Sequence, residues 1–167
     1  MPVLNPIENR IARIKRGEDP QLLGTMRSGY AIYSNQQPQK VRGCCMLLPD
    51  PTPSSLNDMD IESRTVFLAD FALLGDAVLE ATGAARINYL ILCNQVPALH
   101  AHCVPRYAEE DADRGLMDPF AAYDFGEAPR ADVVGPDREL FERIRTAVAQ
   151  RVSSDAMKKP RAGGTRS

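Results

Sequence analysis

The chain contains only two histidines, His100 and His102, which lie two residues apart in Asn94-Gln95-Val96-Pro97-Ala98-Leu99-His100-Ala101-His102-Cys103-Val104-Pro105-Arg106-Tyr107. In an extended strand, side chains at i and i+2 point the same way. Both imidazoles therefore share one face, and Leu99, Ala101 and Cys103 form a small apolar face opposite. Imidazole titrates near neutral pH and, when neutral, offers a nucleophilic nitrogen. With the amides of Asn94 and Gln95 before it and the guanidinium of Arg106 after it, the stretch holds a nucleophile, hydrogen-bond donors and a cation. Phosphoryl or nucleotidyl transfer needs these parts, because its catalysis is largely positioning and stabilisation of charge on the equatorial oxygens. A bare His-x-His pair is more often a solvated strand edge, so the elements around it decide the reading.

Those elements belong to an ordinary globular chain. Its 167 residues, 44% hydrophobic and 25% charged, fit one domain, expected over residues 1–156, with a disordered basic tail over 157–167. A formal charge of -2 and a pI near 5.7 speak against a polybasic nucleic-acid surface. No apolar run approaches the roughly 20 residues that span a bilayer, and Met1 to Pro6 lacks a signal-peptide layout. A cytoplasmic protein with a small-molecule partner is expected, with neither nucleic acid nor membrane as partner. Cys44, Cys45, Cys93 and Cys103 form no Cys-x-x-Cys pair, and three lie in apolar runs, so free thiols are expected. A zinc site joining them to His100 and His102 lacks chelating spacing, and no metal ligand is assigned.

In chain order, Pro6 to Arg16 reads as an amphipathic helix with Ile7, Ile11, Ala12 and Ile14 at helical spacing, capped by Asn5. Leu22 to Met26 and Tyr30 to Ser34 read as a hairpin around Arg27-Ser28-Gly29. A polar turn, Asn35 to Gly43, leads into Cys44 to Pro49, an unbroken apolar run typical of a central strand. The longest helix is predicted over Asp60 to Thr82, with Asp60 as cap and Gly83 as stop. Phe67, Phe71, Leu74 and Val78 fall on one side of it, and Glu62, Asp76 and Glu80 on the other. Gly75 inside this helix costs about 1 kcal/mol relative to alanine and suggests a close approach to a sheet. Arg86 to Cys93 reads as a strand, and Asn94 to Ala98 as the turn that pairs it antiparallel with the histidine strand. Residues 108–135 show no clear period, and Pro136 to Val152 reads as a last helix. The pattern of strands, one long helix and more strands is that of an α+β domain with an antiparallel sheet packed on a long helix.

His100-Ala101-His102-Cys103-Val104-Pro105-Arg106 resembles the signature strand of the histidine triad (HIT) family, in which His-x-His-x-His-x-x is followed by Pro-Arg in many members. Pro105 sets the register: His102 matches the third histidine, His100 the second, and the first falls on Ala98. The order strand, Asn-x-x-Pro turn, Gly and apolar strand is also similar to the family, although Gly43-Cys44 stands where a Gly-His pair is common. The resemblance covers roughly Ser28 to Tyr107 and implies the α+β HIT-like fold.

It further implies attack by His100 on the α-phosphorus of a nucleotide, through a nucleotidyl-imidazole that water resolves. In that reading His102 lies beside the phosphates, and Asn35, Asn94, Gln95 and Arg106 bind substrate. No cofactor is required, and a divalent cation can accompany a polyphosphate substrate. The implied function is hydrolysis or nucleotidyl transfer on a dinucleoside polyphosphate or a nucleoside phosphoramidate, by a homodimer. The alternative is a non-catalytic nucleotide-binding protein that keeps the pocket, since Ala98 removes one member of the triad. Without the resemblance, Asn35 reads as a turn residue bonding its own backbone.

Overall fold

The computed structural model describes residues 5–158. Helix α1 (Pro6–Lys15) begins where the Asn5 carboxamide oxygen accepts from the backbone N–H of Ile7 and Glu8, at 2.9 and 3.0 Å, and the Glu8 carboxylate accepts from the Asn5 N–H at 3.1 Å. This reciprocal cap satisfies donors that a helix start otherwise leaves bare. Strands β1 (Leu22–Thr25) and β2 (Gly29–Tyr33) form the expected hairpin, and β3 (Cys45–Pro49) pairs antiparallel with β2. Helix α2 (Ile61–Thr82) is capped by Asp60, which accepts from Ser63 N–H at 2.8 Å, and ends at Gly83 with φ of 67°. That left-handed stop suits glycine.

Strands β4 (Arg86–Leu90) and β5 (Ala101–Arg106) complete a five-stranded antiparallel sheet of order β1-β2-β3-β5-β4. β4 ends three residues earlier than the sequence suggests, and a loop from 91 to 100 leads into β5. Two four-residue turns of helix, α3 (Ala112–Gly115) and α4 (Pro119–Ala122), account for the missing period in the next stretch. α5 (Arg138–Lys158) starts two residues later than expected and takes in Met157 and Lys158. The remainder of the expected tail lies outside the described residues.

The two faces of the sheet have separate duties. On one, Ala31, Tyr33, Cys45, Leu47, Ala101 and Cys103 bury against Phe67, Phe71, Leu74 and Val78 of α2 and Phe141, Ile144 and Val148 of α5. The apolar side read from the sequence for β5 is thus core. Gly75 permits contact with β4, since a Cβ there would overlap the Tyr89 ring and hydroxyl. Buried Asp70 of α2 accepts from the N–H and Oγ–H of Ser28, each at 2.7 Å, and fastens the β1–β2 turn to the helix. On the other face, Ile7, Ile11 and Ile14 of α1 bury with Ile32, Leu48 and Ala98. All four cysteines are free, and Cys44, Cys45 and Cys103 are buried. Among the described residues no helix is long and apolar enough to cross a membrane.

Candidate active site

His100 and His102 stand on the face that α2 and α5 leave free. His102 lies within β5 opposite Met46 of β3, and His100 immediately precedes the strand. Their rings meet edge to face with centroids 5.0 Å apart, as the i, i+2 spacing requires. The Nδ1 of His100 lies 2.8 Å from the backbone carbonyl oxygen of Ala98. A carbonyl only accepts, so Nδ1 carries a proton, and in the neutral ring the lone pair is on Nε2. Burial, and secondarily the neighbouring His100, lower the pKa of His102 to about 4. It is therefore neutral near pH 7 and cannot hold charge as a cation there.

The pair opens into a cleft of about 900 Å³, within the range of small-molecule sites. Its floor is β3 and β5, with Cys44, Met46 and Val104 beside the histidines. α1 forms one wall with Pro6, Ile7 and Arg10, the β2–β3 turn contributes Ser34 to Gln36, the loop before β5 contributes Leu92 to Val96, and residues 120–126 form the remaining wall. Asn35, Asn94, Gln95, His100 and His102, distant in sequence, thus line one cavity.

Arg106 does not, and here the sequence reading is corrected. Its guanidinium is buried and bonded to Glu110, to Asn88 Oδ1 at 2.7 Å and to the carbonyls of Arg114 and Met117, each at 2.8 Å. It shares the strand face of His102 by parity but lies four residues further along, where Glu110 folds back to meet it. Its role is to hold residues 107–117 against the sheet.

Several residues in the cleft or supporting it carried no readable signal. Phe120 packs its ring 5.2 Å from that of His102 and 4.6 Å from that of Phe125. Gln37 is buried and spends its whole amide on the turn: Nε2 donates to Ser34 O and Cys44 O, and Oε1 accepts from Gly43 N–H and Cys44 N–H, all within 3.1 Å. The returning chain crosses this turn, with Ala131 N–H donating to Asn35 O and Gln37 N–H to Pro129 O. Arg10 is the only cationic side chain lining the cleft among the described residues. Also among the described residues, no group of three or more His, Cys, Asp or Glu side chains is placed to hold a metal ion.

No protein-family model matches the chain, and no curated protein matches it in sequence. Solved structures do match it in fold. A histidine triad (HIT) protein from Sinorhizobium meliloti superposes with a TM-score of 0.64 at 20% identity, over 87% of this chain and 96% of that one. This is the histidine triad fold. A hypothetical histidine triad nucleotide-binding protein from Sulfolobus tokodaii gives 0.61 at 14% identity over 87% and 92% of the two chains. A zinc-bound histidine triad family protein from Mycobacterium smegmatis gives 0.58 at 20% over 84% and 93%. At these identities the likeness is one of fold. These neighbours are matched over more than nine-tenths of their own length.

Proposed function

We propose that this protein is a HIT-type nucleotide hydrolase or nucleotidyl transferase in which His100 is the nucleophile. The observation that carries the reading is the Ala98 carbonyl on Nδ1 of His100, which leaves Nε2 as a lone-pair donor at the cleft. Nε2 forms a bond to the α-phosphorus as the bond from phosphorus to the leaving group breaks, and that group departs with the electron pair. The imidazole then bears positive charge, which the Ala98 carbonyl stabilises through the Nδ1–H. Water attacks the phosphorus, the Nε2–P bond breaks, and nucleoside monophosphate is released. Asn94 and Gln95, exposed on the loop before β5, supply N–H donors to the non-bridging oxygens. His102 acts as a neutral hydrogen-bonding group.

Ala98 stands where the family places its first histidine. The positioning contact to His100 comes from the backbone of that residue and does not depend on its side chain, so the loss is compatible with turnover. The fold neighbours include a nucleotide-binding protein, which supports a nucleotide as ligand. No resident cofactor takes part in this reaction; a divalent cation enters, if at all, on the phosphates of the substrate.

The test is to incubate the protein with adenosine and guanosine phosphoramidates and dinucleoside polyphosphates and follow nucleoside monophosphate release. His100→Ala is expected to abolish release while nucleotide binding persists, and His102→Ala to leave a residual rate. Wild-type turnover by His100→Ala refutes the mechanism, and binding without release by the wild type assigns a binding role.

A further inference from the structure

We propose that Phe120 is a positioning residue for His102, holding the plane of its imidazole and shutting water from the side of the ring that the sheet leaves open, an inference that rests on the nucleotide reading above and deepens it. The two histidines are held by different means. His100 has the Ala98 carbonyl on its Nδ1, whereas neither ring nitrogen of His102 has a hydrogen-bond partner among the described residues. Packing fixes the His102 ring instead. Met46 of β3 and Leu90 of β4 stand opposite it on either side, where antiparallel pairing puts them on its own face. His100 and Val104 adjoin it along the chain at two-residue spacing. These four come with the sheet.

Phe120 comes from outside it. Its ring lies 5.2 Å from that of His102 at an interplanar angle of 80°, the edge-to-face arrangement that aromatic pairs favour, so tilting the imidazole out of its plane gives up this contact. Phe120 is itself well anchored. Its N–H and that of Ala121 donate to the Asp118 carboxylate, both at 3.0 Å, while Ala122 and Tyr123 bury with Val41, Cys44 and Val104. Phe125 backs the ring at 4.6 Å.

In the reaction proposed above, His102 meets the phosphate uncharged, and the charge of an imidazole follows its exposure to water. Burial is the larger cause of its low pKa of about 4, and His100 the smaller. The other titratable groups at the cleft do not set that balance. Burial pushes the Cys44 thiol up and the Tyr123 phenol is pushed up to about 12, so both stay neutral near pH 7. Cys93 in the loop before β5, Asp124 on the segment of Phe120 and Arg10 on α1 line the same cleft without entering the shift. Attack by His100 keeps its own tether; what Phe120 governs is the state of His102.

With only two histidines in the chain, the test is direct. The full chain labelled with 13C and 15N at histidine gives two ring signals, assigned by their loss in His100→Ala and His102→Gln and followed from about pH 8 downward. In Phe120→Ala the His102 midpoint is expected to rise by about one unit and its ring to lose order on the nanosecond scale. Phe120→Tyr keeps the aromatic ring and is expected to restore both. An unchanged midpoint in Phe120→Ala overturns the exclusion of water, and unchanged order overturns the hold on the ring. An equal change in Phe120→Tyr overturns the inference as well. If the His100 signal moves together with that of His102, Phe120 acts on the fold as a whole and the inference fails. The spectra need no substrate, so they separate the two readings. If they behave as expected and the wild type releases no nucleoside monophosphate, the positioning stands and the nucleotide reading fails; release with unchanged spectra means the reverse.

Discussion

Ala98 is 2% exposed and shares a buried cluster with Ile7, Ile11 and Leu48, so α1 covers the residue that we propose stands in the place of a first triad histidine. Placing an imidazole there is expected to harm the protein. Ala98→His forces a larger polar ring into filled space and should cost about 1–3 kcal/mol without raising turnover, which urea denaturation and nucleotide-release assays will show. His102 gives a second expectation. Its folded pKa of about 4 lies below the ordinary 6.5, so between these values the unfolded chain binds the extra proton. Stability from this group is complete above pH 6.5 and is lost as the pH falls toward 4, by up to about 3 kcal/mol. Denaturant melts at neutral pH and near pH 5 should show the loss in the wild type and a smaller one in His102→Gln. An equal loss in both would place the titration elsewhere.

At the scale of elements, the contact between α2 and β4 is the one most exposed to a single change. Gly75→Ala gains about 1 kcal/mol of helix propensity but drives a methyl into Tyr89, whose ring also packs edge to face on Phe71 at 5.0 Å. A net destabilisation is expected, and it should disappear on a Tyr89→Ala background. A double-mutant cycle with no coupling would show that the ring yields freely. The sequence made α2 legible because Asp60 and Gly83 mark its ends and its aromatics keep a 3.6-residue period. It made the histidine pair legible because alternation along a strand is local. Arg106 was misread because parity names a face but not the partner waiting there, and Glu110 is such a partner. Arg10 carried no local signal, since only the tertiary fold brings Asp19 and Asn35 to it. Phe120 sits on a four-residue helical turn, too short to set up any period.

For the whole molecule, the sheet order leaves β4 with one edge unpaired among the described residues. Around that edge Tyr89 and Leu92 are 46% and 50% exposed, and Leu68 and Leu79 of the adjoining helix are also uncovered. An edge strand of this kind is a template for another strand. We propose that a second copy of the chain pairs there about a two-fold axis. Light scattering at micromolar concentration should give twice the chain mass, and Tyr89→Lys should reduce it. A single-chain mass with and without nucleotide would refute the pairing.

The segment that walls the cleft is fastened at two points. At its start, Glu110 holds Arg106 and accepts from the Tyr123 hydroxyl at 2.6 Å; at its end, residues 129–131 lie along the β2–β3 turn. Between these anchors, 119–126 contributes Phe120 and Phe125 to the cavity without supplying a strand to the sheet. Such a stretch behaves as a cassette. A lineage can exchange it, or a laboratory randomise it, to reshape that wall of the cleft while the histidine strand and the Ala98 carbonyl contact remain untouched. Under the proposed reaction, what the cleft admits and the power to attack can therefore evolve separately.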